Sequence, residues 1–240
     1  MHSDFKEKIS KLTKIFGIKI EDKEDEQKLY IKALTHSSYT RENETKSLEN
    51  YERLEFLGDA VLKLFVSDIL YKKYPNYPEG ELTKIRSIVV SDNTLAEISE
   101  KIGLNSLVVL GRQEEKTGGR KRKSIMACAF EAVLGAYFLS GKSKDLSAFL
   151  EKTLEPYIKE VDENFEKFNA KAVLQEHTQS LNKTTPDYKV IEEKGPEHDK
   201  IFTVEFSYMN ENLATGSGKK KKEAEQDGAY KACLKLGAIN

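Results

Sequence analysis

The 240 residues predict an all-α helical bundle over 1–160, a linker over 161–168, and a small α+β domain of α-β-β-β-α order over 169–240. Three observations carry this reading. Apolar residues recur at helical spacing through the first part, interrupted at Pro75, Pro78, Gly103 and Gly118-Gly119. The run Lys159-Glu160-Val161-Asp162-Glu163-Asn164 is acidic and polar, as connecting segments are. Beyond it the apolar period changes: Phe202, Val204, Phe206 and Tyr208 alternate with polar residues, the pattern of half-buried antiparallel strands.

In chain order, the bundle opens with amphipathic helices over 4–16 and 26–35 and continues into a long helix over 51–74. Helices over 82–90 and 93–102 follow, then an apolar helix over 124–140 and a closing one over 147–157. After the linker, a helix is expected over 169–181, strands over 188–191, 202–208 and 211–216, and a last helix from about 220. Its packing face is Ala224, Ala229, Ala232, Cys233 and Leu236, with Asp227-Gly228 softening it, since Gly costs about 1 kcal/mol relative to Ala in a helix.

Composition excludes some classes. The residues Met1 to Lys6 contain no apolar signal segment, and the fifteen-residue apolar run at 125–139 is too short to span a bilayer, so a cytoplasmic protein without membrane attachment is expected. Two cysteines far apart, Cys128 and Cys233, form neither a disulfide framework nor a zinc spacing and read as buried small residues. A net charge of −1 gives no global sign of a nucleic-acid partner. Local distribution does: 169–240 holds 11 lysines against 11 acidic residues, and four of those lysines are consecutive at Lys219 to Lys222.

Within 125–139 the only formal charge is Glu131. An unpaired carboxylate in an apolar helix costs several kcal/mol or shifts its pKa until it neutralises, so Glu131 must meet a cation. In the long helix, Glu55 and Asp59 stand four apart and share a face. Glu52, Glu55, Asp59 and Lys63 also fit the wet stripe of an amphipathic helix, and pattern alone leaves both readings open. Gly58 and Gly135 permit close backbone approach, which favours two facing helices whose carboxylates converge on Mg2+ or Mn2+.

The segment Asn50-Tyr51-Glu52-Arg53-Leu54-Glu55-Phe56-Leu57-Gly58-Asp59-Ala60-Val61-Leu62 resembles the signature of the ribonuclease III family. So do Leu34-Thr35-His36-Ser37-Ser38-Tyr39, Glu79-Gly80-Glu81-Leu82-Thr83, the basic loop after Gly118-Gly119 and Ala129-Phe130-Glu131-Ala132, in the same order. One position departs from the pattern: Cys128 stands where the family has an aspartate, three residues before its glutamate. A thiol is a poor partner for a hard ion, which leaves three of four acids. The C-terminal order, with Leu174-Gln175-Glu176, Gly195-Pro196-Glu197-His198 and Lys221-Lys222-Glu223-Ala224-Glu225, resembles the double-stranded RNA-binding domain.

The resemblance implies a homodimeric endoribonuclease that hydrolyses double-stranded RNA with Mg2+, Mn2+ substituting, to leave 5′-phosphate and 3′-hydroxyl ends, with a role in rRNA and other RNA processing. Glu55, Asp59 and Glu131 would be the metal ligands, Asp59 and Glu131 the catalytic pair, and Cys128 a doubtful fourth ligand. Glu52 and Arg53 would touch the second subunit, and the basic loop of Gly119 to Lys123 would add phosphate contacts near the cleft. Gln175, Glu176, His198, Lys219, Lys221 and Lys222 would face RNA. Lysines in a first helical turn oppose the macrodipole, which makes poor sense as structure and good sense as a phosphate grip. Two rival readings are a non-catalytic or weakly active double-stranded RNA-binding protein, through the loss at Cys128, and a Mg2+-dependent deoxyribonuclease. The second is disfavoured because the C-terminal motif reads A-form shape.

Overall fold

The computed structural model describes residues 3–43, 49–196 and 200–239, in two compact units, Met1–Lys159 and Glu160–Asn240. The first unit is helical. Its elements are α1 (Ser3–Phe16), α2 (Glu24–Leu34), α3 (Ser37–Glu42), α4 (Glu52–Lys73), α5 (Glu79–Val89), α6 (Asp92–Lys101), α7 (Arg112–Lys116), α8 (Lys123–Leu139) and α9 (Ser143–Glu163), with single 3-10 turns at Leu104–Ser106 and Gly119–Lys121. Every helix expected from the sequence is present, all but the last of this unit within three residues of the expected ends; α9 begins four residues before and ends six residues beyond the span 147–157, and α3 and α7 are additional. Both are short; α3 is capped by its neighbour His36, and α7 is held by a side chain distant in sequence. His36 Nδ1 accepts from the Ser38 amide (3.1 Å) at the start of α3, and the Glu42 carboxylate accepts from the amides of Arg112 (2.7 Å) and Gln113 (3.1 Å) at the start of α7.

Helix α8 is the centre of the unit. From Ile125 to Tyr137 all of its residues are buried except Cys128 and Glu131, which lie three apart and therefore share a face. Around it, Phe16 packs its ring 5.1 Å from that of Tyr137, and Tyr30 meets Tyr137 edge-on at 4.9 Å. Across α4 the packing is backbone against backbone. A methyl group added at Gly58 would overlap the Glu131 carbonyl and stand 3.1 Å from the Gly135 amide nitrogen; one added at Gly135 would overlap the Leu54 carbonyl. The glycines thus allow the close approach expected of them.

The second unit contains α10 (Phe165–Phe168), α11 (Ala170–Asn182), β1 (Asp187–Lys194), β2 (Ile201–Tyr208), β3 (Glu211–Gly218) and α12 (Lys221–Leu236). The strands form an antiparallel sheet of order β1-β2-β3, with Val190 opposite Val204 and Phe206 opposite Ala214. Ala170, Leu174, Val204, Phe206, Ala224, Ala229, Ala232 and Cys233 build its core. The span expected as a linker is helical apart from a turn at Asn164, as the end of α9 and as α10. Cys233 is buried as expected, its thiol directed at the Ala170 carbonyl at 3.5 Å.

Gly228 has a role that its helix propensity does not suggest. A methyl group there would stand 2.6 Å from Cδ2 of Phe206 and 2.9 Å from the Gly216 amide nitrogen. The residue makes room for a large ring between helix and sheet, so the softening expected of Asp227-Gly228 is offset by packing. Asp227 also ties the two elements together: its carboxylate accepts from the Ser217 amide (2.9 Å) and from Lys231 (2.7 Å).

Candidate metal centre and basic surface

The α4–α8 crossing brings three side chains from two helices into one cleft. One ligand atom each from Glu55, Cys128 and Glu131 lies within 4.8 Å of the others. All three residues are half-buried. Glu131 is fixed because its own carbonyl rests on Gly58, between Glu55 and Asp59 along α4. Asp59, one turn beyond Glu55, is turned to Lys63 in an ion pair of 2.6 Å and is not part of the three-residue cluster.

The charges crowd each other. Burial, and then the nearby carboxylates of Asp59, Glu55 and Asp92, push the Glu131 carboxyl up from the usual range to about 8, with Lys63 opposing weakly. Burial, a hydrogen bond to Glu55 and the same negative field keep the Cys128 thiol protonated far above its ordinary range. The expectation that Cys128 is an inert core residue is corrected here: it is half-buried and faces the acids. A cation in the cleft would relieve this repulsion, and clustered oxygen donors fit a divalent ion such as Mg2+ or Mn2+.

Asp92, the first residue of α6, contributes to this field and was not singled out from the sequence. Its only local signal is a position after the N-cap Ser91, a place where acidic residues are common in any helix. Helix α6 is held against α8 by Ser99, whose hydroxyl donates to the Met126 carbonyl at 3.2 Å, and by Lys123, which donates to Asn93 at 2.9 Å. Glu52 and Arg53 are exposed on the first turn of α4. So, further along, are Phe56 (81 % exposed), Leu64 (61 %) and Tyr71 (76 %), an apolar stripe that the sequence reading passed over. Leu64 and Tyr71 rim a groove of about 410 Å³ between α4 and α5, which Leu82 and Arg86 line.

The basic loop is more structural than expected. Arg120 pairs with Glu115 (2.9 Å through Nε) and donates to the carbonyls of Val108 (3.0 Å) and Asn105, while Arg122 pairs with Glu114 at 2.6 Å. Lys121 and Lys123 remain exposed.

In the second unit Lys219, Lys220, Lys221 and Lys222 are all exposed where the chain enters α12. Lys221 is already engaged: its ammonium is 3.2 Å from Glu193 and 5.5 Å from the centre of the Phe202 ring. Gln175 and Glu176 are exposed on α11. His198 lies outside the described residues.

Comparison with known proteins agrees with both halves. Residues 26–158 match the family model described as ribonuclease-III-like, and residues 170–236 match that of the double-stranded RNA binding motif. The chain is 44 % identical over 212 residues to ribonuclease 3 of Staphylococcus haemolyticus, covering 88 % of this chain and 86 % of the relative. It is 42 % identical over 232 residues to ribonuclease 3 of Pelotomaculum thermopropionicum, covering 97 % and 95 %. A solved nuclease domain of ribonuclease III from Campylobacter jejuni, described with flexibility in a region involved in dimer formation, aligns with a TM-score of 0.55 at 34 % identity, over 62 % of this chain and 97 % of that one.

Proposed function

This chain belongs to the ribonuclease III family and is an endoribonuclease of double-stranded RNA, and we propose that it cuts with Mg2+, for which Mn2+ substitutes, held between α4 and α8. The observation that carries the reading is the convergence of Glu55, Cys128 and Glu131 within 4.8 Å at a glycine crossing. A divalent ion bound there supplies charge neutralisation at the scissile phosphate and a water of lowered pKa. The chain's own residues do the rest. Glu55 and Glu131 offer oxygens from opposite walls, and Asp59, released from Lys63, adds a third one turn away. Cys128 occupies the remaining place, where a water can complete the shell of Mg2+, an ion that commonly keeps several. The products would be 5′-phosphate and 3′-hydroxyl ends.

In this reading residues 1–160 are the nuclease, 161–168 the connection and 169–240 the RNA-binding part. Gln175, Glu176, His198, Lys219, Lys221 and Lys222 face the RNA, with Lys220 beside them. The lysines reach phosphates across the major groove of an A-form duplex. The enzyme works as a homodimer, so that two sites cut opposite strands. Glu52 and Arg53 border that contact, and the exposed stripe of Phe56, Leu64 and Tyr71 gives it an apolar centre. No described helix is long and apolar enough to cross a membrane, in keeping with a cytoplasmic role in rRNA and other RNA processing. A purely binding protein is not favoured, because Glu55 and Glu131 share one cleft and Asp59 stands one turn away on α4.

The test is incubation of a long RNA duplex with the protein, with and without Mg2+, beside Glu131→Ala. Wild type should give discrete fragments only with the metal, and the variant should lose on the order of a thousandfold in rate. A matched DNA duplex should stay intact. Cleavage by the variant at the parental rate would overturn the assignment of the cleft.

A further inference from the structure

We propose that Cys128 makes this cleft a site that sorts divalent ions by softness: Mg2+ is held by carboxylates and water alone, whereas thiophilic ions of the Zn2+, Cd2+ and Co2+ class take the Cys128 sulfur as a direct ligand. The inference rests on the metal-centre reading above and concerns a donor that sets this site apart from an all-carboxylate one. The thiol belongs to the cleft and not to the core. Between Ile125 and Tyr137 only Cys128 and Glu131 escape burial, so the sulfur and the carboxylate emerge side by side from the same turn of α8. Glu55 reaches both from the opposite wall, and the sulfur is within 4.8 Å of the carboxylate oxygens.

That spacing fits a common ion. With bonds of about 2.3 Å to sulfur and 2.0–2.2 Å to oxygen, two donors on one tetrahedral ion stand about 3.6 Å apart, so side-chain rotation of about 1 Å closes the set. The donor chemistry then decides which ion gains. A thiol must give up its proton to bind; the proton leaves to solvent as the metal–sulfur bond forms. A hard ion gains little from sulfur and keeps water in that position, whereas a soft or borderline ion gains its strongest bond there. Two carboxylates and one thiolate suit Zn2+, which accepts both donor types in a four-coordinate shell whose last place is open to water. Thiophilic ions therefore displace Mg2+ from this cleft and inhibit the Mg2+-supported reaction, an effect that an aspartate at position 128 would diminish.

The experiment uses the full chain without RNA. Co2+ and Cd2+ titrations should each raise a near-ultraviolet sulfur-to-metal charge-transfer band that saturates at one ion per chain. Cys128→Ser should abolish the band and weaken Co2+ and Cd2+ binding on the order of tenfold or more, with Mg2+ affinity changed far less. Cys128→Asp should also lack the band and bind Mg2+ more tightly. Cys233→Ser should keep the band, which excludes the other sulfur. No band at saturating Co2+, or a band surviving in Cys128→Ser, overturns the proposal. If Mg2+-dependent cleavage is intact while the band is absent, this inference alone fails; if Glu131→Gln binds Co2+ as tightly as the parent, the metal-centre reading fails with it.

Discussion

At Gly58 and Gly135 the first unit lets two helices touch backbone to backbone, whereas at Gly216 and Gly228 the second lets a helix lie directly on a strand and admits the Phe206 ring beside it. The same lack of a side chain has opposite uses. In the first crossing the space is taken by the facing backbone, the Glu131 and Leu54 carbonyls, and the result is that carboxylates on either wall come within reach of one ion. In the second the space is filled by an aromatic ring, and the result is core. The first arrangement destabilises the ion-free protein by crowding negative charge; the second contributes only packing. A glycine pair by itself therefore says that two backbones meet, and the residues flanking it say whether the meeting is for chemistry or for cohesion.

The largest expected effect comes from closing the first crossing. Gly58→Ala forces a methyl group into the Glu131 carbonyl, and helix backbones yield less readily than side chains. A loss of about 3 kcal/mol or more in the stability of the first unit is expected, read as a lowered urea midpoint by far-ultraviolet circular dichroism, with cleavage lost even below the transition. An unchanged midpoint would mean that α4 and α8 do not touch there.

The second crossing should respond as a matched pair. Gly228→Ala presses on Phe206 and Gly216 and should cost about 2 kcal/mol, while Phe206→Val leaves a void and should cost a similar amount. Each change supplies what the other lacks, so the double variant should be more stable than the sum of the two losses predicts by about 1 kcal/mol. Simple additivity in a double-mutant cycle would show that the ring and the glycine are not coupled.

These two sites also mark what could and could not be read in the chain. Glu131 declared itself because a single charge in an apolar helix has no bland reading, and Gly58 because it sits between acids on the same helix. Gly228 was misread as a weakness. Its partner Phe206 lies 22 residues earlier, and only the register of β2 against β3 brings the ring beneath α12. Other features were hidden because their partners are set by how the chain folds back, even over short separations. Arg120 and Arg122 looked like free cations because the carbonyls and carboxylates that hold them are set by the turn of the chain around α7. Asp92 adds to the negative field at Glu131 from a third helix, and the apolar stripe of Phe56, Leu64 and Tyr71 is exposed along α4 at a spacing of eight and seven residues, interleaved at its start with the acids.

The charge crowding of the first crossing can be isolated by pH. Glu131 holds its proton up to about 8 in the ion-free fold against about 4.5 when unfolded, so between these values the native state binds more protons. Stability in the presence of a chelator should therefore be greatest below pH 4.5 as far as this group is concerned. It should fall as pH rises towards 8 and level off above. The expected loss is about 2 kcal/mol, roughly half of what the full shift would give, because the carboxyl is only half buried. Glu131→Gln should flatten the profile by that amount, and Mg2+ should restore the parent at high pH. A profile identical in the two proteins would mean that water already relieves the carboxylate.

The smallest effect sharpens the contrast from the other side, on a surface where like charges are adjacent but open to solvent. Lys222 is open to solvent in the first turn of α12, whereas Lys221 is shared between Glu193 and the Phe202 ring. If the row grips phosphates, Lys222→Ala should weaken binding of an RNA duplex about threefold, independent of sequence, and lower the slope of log affinity against log salt by about 1. Lys221→Ala should change the slope less, since that ammonium is already partly neutralised within the protein, and it should also loosen the contact between α12 and the sheet. Equal slopes for both variants would show that the Glu193 pair opens on binding. A slope unmoved by either would place the phosphate contacts elsewhere on the second unit, on the surface of α11 that carries Gln175 and Glu176.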